Sequence, residues 1–215
     1  MKSFLIIGMG SFGHHLCRKL AEHKCDIMVV DQNSEALEDI LPLVISARVA
    51  DCTKMDVLET FGVPQFDVCF VCIGSHLQSN LEITDLLNEL GARRILCKVD
   101  RDIDAKFLMR NGADGVIYPE RDIADRIAVS VSNDQIFDFI PISKEYSIYE
   151  IGVRPEWVGK TLSELNFRSN YRLNIIASKA NGVVTPILHP NYTLKAEEHI
   201  FVMGTMDDIE RAIRN

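Results

Sequence analysis

The clearest chemical signal in this sequence is a set of glycines near its start. They stand at 8, 10 and 13 in Ile6-Ile7-Gly8-Met9-Gly10-Ser11-Phe12-Gly13, a G-x-G-x-x-G spacing. In such a turn Gly8 permits the reversal of the chain, Gly10 lets a phosphate approach the backbone, and Gly13 lets the following helix pack against the strand. The free amides and positive dipole end of that helix favour an anion. About twenty residues on, the apolar run Asp26-Ile27-Met28-Val29-Val30-Asp31 closes on an acid, where this fingerprint carries its ribose contact. Turn and acid together predict a nucleotide site.

Other candidates are weaker. Cys69 and Cys72 form an isolated C-x-x-C inside a strand-like run. Positions three apart on a strand face opposite sides, so the thiols diverge and read as small core hydrophobes. Gly159-Lys160-Thr161 resembles the end of a phosphate-binding P-loop, but Arg154 occupies the position where that motif needs its first glycine. The tripeptide therefore reads as a helix start. His14 and His15 are adjacent on a helix, about 100° apart, and make a poor chelate. His76 reads as a pocket-rim residue and is the best available base if the chain were an oxidoreductase.

The elements that must position these residues alternate strictly. Strands are expected at residues 4–7, 26–31, 43–50, 67–73, 94–99 and 115–118. Helices are expected after Gly13 and at 35–41, 54–61, 77–90 and 104–110. Alternation of this kind predicts an α/β fold, a Rossmann-like doubly wound parallel sheet. Gly8, Asp31, Asp51 and Gly74 then fall at the carboxyl ends of strands, where ligands of such sheets sit. A further helix, 123–131, opens at Pro119-Glu120-Arg121-Asp122. Its stripe of Ile123, Ala124, Ile127, Ala128 and Val131 either covers its own sheet or pairs with another subunit. From about residue 137 the rhythm changes to short strands and a closing helix at 207–214, which predicts a small α+β domain. The division is expected at 1–135 and 136–215.

The chain has 215 residues, 47% of them hydrophobic, and a formal net charge of −8. That is enough apolar content for a real core, and the length suits one large or two modest domains. No basic stripe is present, so nucleic acid is not an expected partner. The apolar runs are strand-sized, which argues against a membrane helix and a signal peptide and points to the cytoplasm.

Taken together, the glycine turn, Tyr118-Pro119-Glu120-Arg121-Asp122, Glu145-Tyr146-Ser147-Ile148 and Gly159-Lys160-Thr161-Leu162 resemble the RCK proteins. These are the cytosolic KtrA/TrkA-like regulatory subunits of bacterial potassium uptake systems. The resemblance spans the chain, an RCK-N domain followed by an RCK-C domain. It implies a homodimer assembling into an octameric ring beneath a membrane-embedded KtrB/TrkH-like potassium-translocating subunit, at the inner face of the membrane. Nucleotide in the first domain would change the ring's shape and gate potassium flux, without catalysis. The implied ligand is ATP or ADP, with NAD(H) as the alternative. By this likeness Gly8, Gly10 and Gly13 hold the phosphates, with Ser11 and Phe12 in the same cofactor site, and Asp31 with Asn33 lies at the ribose. Asp51, Cys52, Ile73 and Gly74 line the base and sugar region. Lys98 lies at the far wall, and Glu120 near a dimer interface that can hold Mg2+ or Ca2+. Arg168, Asn174, Ile175, His189 and Pro190 are the implied positions of a second ligand, cyclic di-AMP, in the small domain.

Ser11 departs from the family pattern, in which KtrA-like members carry an arginine that reaches a neighbour's γ-phosphate. A hydroxyl donates a hydrogen bond but no charge; charged donors contribute ~1.5–3 kcal/mol against ~1 for neutral ones. The ATP-over-ADP preference should weaken, unless a protonated His14 substitutes. Two other classes remain open at the level of sequence: a nicotinamide-dependent oxidoreductase, and an orphan nucleotide sensor with another partner.

Overall fold

Strand β1 (Ser3–Ile7) is apolar at every position after the first, and it is buried because strands pair with it on both sides. A computed structural model describes residues 1–74, 76–187 and 189–214. In it the chain forms two units, Met1–Arg121 and Asp122–Asn215.

In the first unit β1 pairs in parallel with β2 (Asp26–Asp31) and β4 (Val68–Val71). β3 (Ser46–Val49), β5 (Ile95–Lys98) and β6 (Gly115–Ile117) complete a six-stranded sheet of order β3-β2-β1-β4-β5-β6. The order reverses between β2 and β4 around β1, which makes the carboxyl end of β1 the switch point. Helices α1 (Ser11–Glu22), α2 (Met55–Glu59), α3 (Leu77–Glu89) and α4 (Asp102–Arg110) make the connections. Each face of the sheet has its own core. Leu5, Ile7, Cys69, Val71 and Cys97 belong to one, and Phe4, Ile6, Cys17, Phe70 and Cys72 to the other. Cys69 and Cys72 thus face opposite ways, as a strand requires.

The expected helix at 35–41 is replaced by two 3-10 turns, Ser34–Leu37 and Leu41–Leu43. Pro42 sits inside the second; it lacks the amide an α-helix needs there. Gly62 and Gly91 stop the segments before them in left-handed conformations, φ +69° and +76°.

Helix α5 (Pro119–Ser132) begins at the end of the first unit. Val129 packs against the second unit's core, and Arg126 binds Asp138 at 2.6 Å. By compactness the helix from Asp122 onward groups with the second unit. Ile123, Ile127 and Val131 stay exposed.

The second unit is a five-stranded antiparallel sheet of order β10-β9-β11-β8-β7. Its strands are β7 (Ile136–Pro141), β8 (Ser147–Gly152), β9 (Asn174–Ala180), β10 (Val183–Pro186) and β11 (His199–Gly204). Short helices α6 (Leu162–Leu165) and α7 (Phe167–Tyr171) and the closing α8 (Met206–Arg214) pack with them around Trp157. Thr161 caps α6 reciprocally with Glu164, so Gly-Lys-Thr is a helix start.

Candidate functional site

The glycine turn is built by close contacts. Gly8 has φ +94°, and a Cβ there would lie 3.0 Å from the backbone of Cys72 and Ile73. A Cβ on Gly13 would meet the Gly8 carbonyl oxygen at 2.2 Å, so helix and turn touch backbone to backbone. Gly10 differs. It sits at the N-cap of α1 in an ordinary extended conformation, and nothing lies within 4 Å of where its Cβ would be. The open space lies at the helix start, where unpaired amides attract an anion.

That turn forms one wall of a cavity of about 260 Å³. Gly8, Gly10, Asp31, Cys52, Ile73 and Gly74 all line it. Six of the residues expected at the nucleotide thus come together from the ends of β1, β2 and β4 and the loop after β3. Asp31 does more than face the cavity. Its Oδ2 accepts the Met9 amide at 2.6 Å and its Oδ1 the Asn33 amide at 2.8 Å, which ties the end of β2 to the glycine turn. Each carboxylate oxygen keeps a lone pair for a sugar hydroxyl.

Other expected residues act nearby without lining the cavity. Ser11 is exposed at the first position of α1, and Phe12 packs into the core of that face. Gly13 works through helix packing. Asn33 caps the 3-10 turn by accepting the Glu35 amide. Asp51 accepts from the Thr53 hydroxyl at 2.7 Å, the Thr53 amide and Gln32 Nε2; the Thr53 bonds hold its carboxyl below the usual range. It thereby orients Thr53 and Gln32, which do line the cavity. His14 faces Asp39, 3.5 Å away, and Arg18 binds the same carboxylate.

Sequence reasoning missed Gln32, Thr53, Ser79 and Ile83 as lining residues. Ser79 and Ile83, four apart, share a face of α3, and Asp51-Cys52-Thr53 is an Asx-turn pattern, so both signals were available. His76 lies at the cavity rim and is exposed. Cys52 and Cys72 line the cavity as buried thiols, and burial pushes each up to about 12. At neutral pH they are apolar walls and not nucleophiles.

Lys98 and Glu120 sit apart. Lys98 lines a second cavity of about 320 Å³ together with Gly74, Leu77, Asn80, Val99, Asp100, Arg101 and Asp104. Its ammonium binds Glu120 at 2.7 Å and Asp100 at 3.5 Å. Among the described residues no three His, Cys, Asp or Glu side chains are grouped to hold a metal. One carboxylate already bonded to an ammonium does not fit a divalent ion without ligands from outside the chain. The Tyr118-Pro-Glu-Arg-Asp stretch is held by Asp102, which accepts from Tyr118 at 2.9 Å and from Arg121 at 2.7 Å, the guanidinium lying 3.4 Å over the Tyr118 ring.

In the second unit Arg168, Asn174, Ile175 and Pro190 line a shallow cavity of about 330 Å³. Arg168 Nε donates to Asn174 Oδ1 at 2.8 Å. His189 does not line it; its carbonyl accepts the Tyr192 amide.

The TrkA-N domain family matches residues 4–119 and the TrkA-C domain family residues 147–215. The chain is 32% identical over 212 residues to the Ktr system potassium uptake protein C of Bacillus subtilis (strain 168), covering 98% of this chain and 95% of that protein. It is 31% identical over 210 residues to the Ktr system potassium uptake protein A of the same organism, covering 98% and 95%. The fold resembles that of part of the GsuK channel, solved bound to NAD, with a TM-score of 0.67 at 21% identity, over 96% of this chain and 38% of that one. Among the described residues no helix is long and apolar enough to cross a membrane.

Proposed function

Because the chain belongs to the family built from a TrkA-N and a TrkA-C domain, we propose that it is the nucleotide-binding gating subunit of a potassium transporter. The observation that carries this is the convergence of Gly8, Gly10, Asp31, Cys52, Ile73 and Gly74 on one cavity. Adenine and ribose enter that cavity, the phosphates lie over Gly10 at the start of α1, and Asp31 receives the ribose hydroxyls. The nucleotide is an adenine nucleotide, ATP, ADP or NAD(H), and it acts as an effector rather than a reactant. Support for a role in potassium uptake comes from the relatives, which are named as potassium uptake proteins.

The partner is a membrane-embedded KtrB/TrkH-like subunit, met at the cytoplasmic face, and the working form is a ring of homodimers, eight subunits in all. The exposed stripe of α5 is the surface available for pairing. In this reading residues 1–135 respond to nucleotide and residues 136–215 dimerise and take a second ligand. The Arg168–Asn174 cavity is the place for cyclic di-AMP, with a guanidinium for its phosphates. Mg2+ or Ca2+ at Glu120 requires ligands from a second copy or from the nucleotide. A nucleotide gates only by binding one ring state better than the other. A tenfold preference supplies ~1.4 kcal/mol per site, and several sites together reach the ~5.5 kcal/mol of a near-complete switch.

Thermal unfolding of the purified chain with each nucleotide tests the binding. Ligand at a hundred times its Kd adds ~2.7 kcal/mol, a rise of roughly 5–10 °C for this chain length. Potassium flux through a co-reconstituted KtrB-like subunit, with and without nucleotide, tests the gating. Absence of any thermal response, or flux indifferent to the protein, would sink the reading.

A further inference from the structure

We propose that the open edge of β3 docks the membrane subunit, a basic, extended cytoplasmic segment of that subunit adding to the sheet as a strand beside β3; this rests on the reading that the partner is a membrane-embedded subunit met at the cytoplasmic face. β3 pairs only with β2 and ends the sheet. Its register sets Ala47 against Val29, and the Ile45 amide donates to the Ile27 carbonyl. Amides alternate in direction along a strand, so those of Ser46 and Arg48 point to the free side. Such a row of backbone groups is a template for another strand, and proteins ordinarily blunt or cover it.

The opposite edge of the sheet is covered: every residue of β6 is partly buried. Around β3, Leu41 is 56% exposed, Ile45 69% and Val49 59%. Ile45 and Val49, four apart on an extended run, share one side of it. The same stretch already has its inward set. Leu37 and Ile40 are buried in the core of that face, and Val44 and Ala47 pack against it. Leu41, Ile45 and Val49 are thus a second apolar set, with no role inside the unit.

Charge decides what covers them. Glu35 and Glu38 are exposed at the 3-10 turn before β3, and Asp56 and Glu59 are exposed on α2 after it. Asp39 is taken by Arg18, and Asp51 has Lys54 at 4.0 Å; the other four carboxylates have no ion-pair partner among the described residues. A second copy would bring an identical acidic border against this one, and like charges across a strand pair are unfavourable. An anionic lipid surface is repelled for the same reason. A basic segment is attracted, and short cytoplasmic loops of membrane proteins carry an excess of lysine and arginine. In strand addition the main chain supplies affinity and alternate side chains supply specificity, which Ile45 and Val49 are placed to do. Arg48, the one cation within β3, opposes a basic segment by its side chain and receives it by its amide, so the two contributions can be separated.

Co-sedimentation of the full chain with a KtrB-like subunit in proteoliposomes, together with hydrogen exchange, tests this. Binding of the subunit should slow exchange over residues 45–49. Arg48→Ala removes the charge and keeps the amide, and should bind at least as tightly as wild type. Arg48→Pro removes the amide on the free side, where an edge strand tolerates proline. It and Ile45→Lys should each bind about tenfold more weakly, the worth of one or two hydrogen bonds. A thermal midpoint like that of wild type checks that each variant is folded; if Arg48→Pro is not, Ile45→Lys and Val49→Lys decide. Binding without protection at 45–49, or Lys variants that bind like wild type, overturns the proposal alone. So does a smaller oligomer for Ile45→Lys in light scattering, which would make the edge a contact between copies. Equal loss of binding to liposomes lacking the subunit would make it a lipid contact and overturn the proposal as well. Failure of wild type to bind the subunit overturns the underlying reading and the proposal with it.

Discussion

The three fingerprint glycines do different jobs, and their substitutions separate. Gly13→Ala drives a methyl to 2.2 Å from the Gly8 oxygen. The expected cost is about 1–3 kcal/mol of stability, as in other overpacked sites, read as a fall in the chemical denaturation midpoint without ligand. Gly10→Ala meets no atom and needs no unusual backbone. It should leave unliganded stability within about 0.5 kcal/mol while weakening nucleotide binding at least tenfold, because the methyl occupies the approach to the phosphates. Equal effects from the two variants would show that Gly10 also serves packing. Cysteine chemistry divides as cleanly. Burial raises Cys69 to about 12 and Cys97 to about 11, whereas Cys25 is partly exposed. A thiol reagent at pH 8 should modify Cys25 first in the native protein and reach the core thiols only on unfolding, as peptide mass mapping would report.

Among the elements, α6 shows how much a cap can decide. It is only four residues long, Leu162–Leu165, and Thr161 with Glu164 closes its start from both sides. Thr161→Ala should cost about 1 kcal/mol. The Thr161 amide and hydroxyl hold the Glu164 carboxyl below its usual range. Its contribution is therefore full above the unfolded carboxyl value and is lost as pH falls through the lower folded value. Acid titration of wild type against Glu164→Gln should converge at low pH. The cap was readable in the sequence, as were β1, β2, the glycine turn and the acid, because each depends on neighbours within a few residues. The 3-10 turns at 34–43 were not, since the apolar spacing of Leu37 and Leu41 also suits an α-helix and only Pro42 argues otherwise. Nor was the site complete in the sequence. That Lys98 would be taken up as a partner of Glu120 depends on a contact between residues twenty-two apart, which propensity does not order.

At the scale of the molecule, the two units have separate cores, and one reporter distinguishes them. The sequence contains one tryptophan, Trp157, wholly buried in the second unit among Phe167 and Tyr171. Its fluorescence follows that unit, while circular dichroism follows both. Nucleotide should raise the transition seen by circular dichroism. If the gating reading is right, the Trp157 transition should rise with it, because binding at one unit must be felt by the other for regulation to pass through the chain. A Trp157 transition indifferent to nucleotide would confine the effect to the first unit.

The sheet order has a consequence for how the protein is made. β1 leaves the ribosome before β2 and β4, yet it lies between them, and the backbone against which Gly8 fits belongs to Cys72 and Ile73. The glycine turn therefore waits for some sixty residues of further synthesis before its back wall exists, an interval set by topology and not by local preference. During that interval the apolar run Phe4-Leu5-Ile6-Ile7 is without its second neighbour, the condition in which nascent strands associate wrongly. Ribosome-arrested chains ending before β4 should be digested rapidly by protease whether or not nucleotide is supplied. Those with the whole first unit outside the exit tunnel should gain protection when it is added.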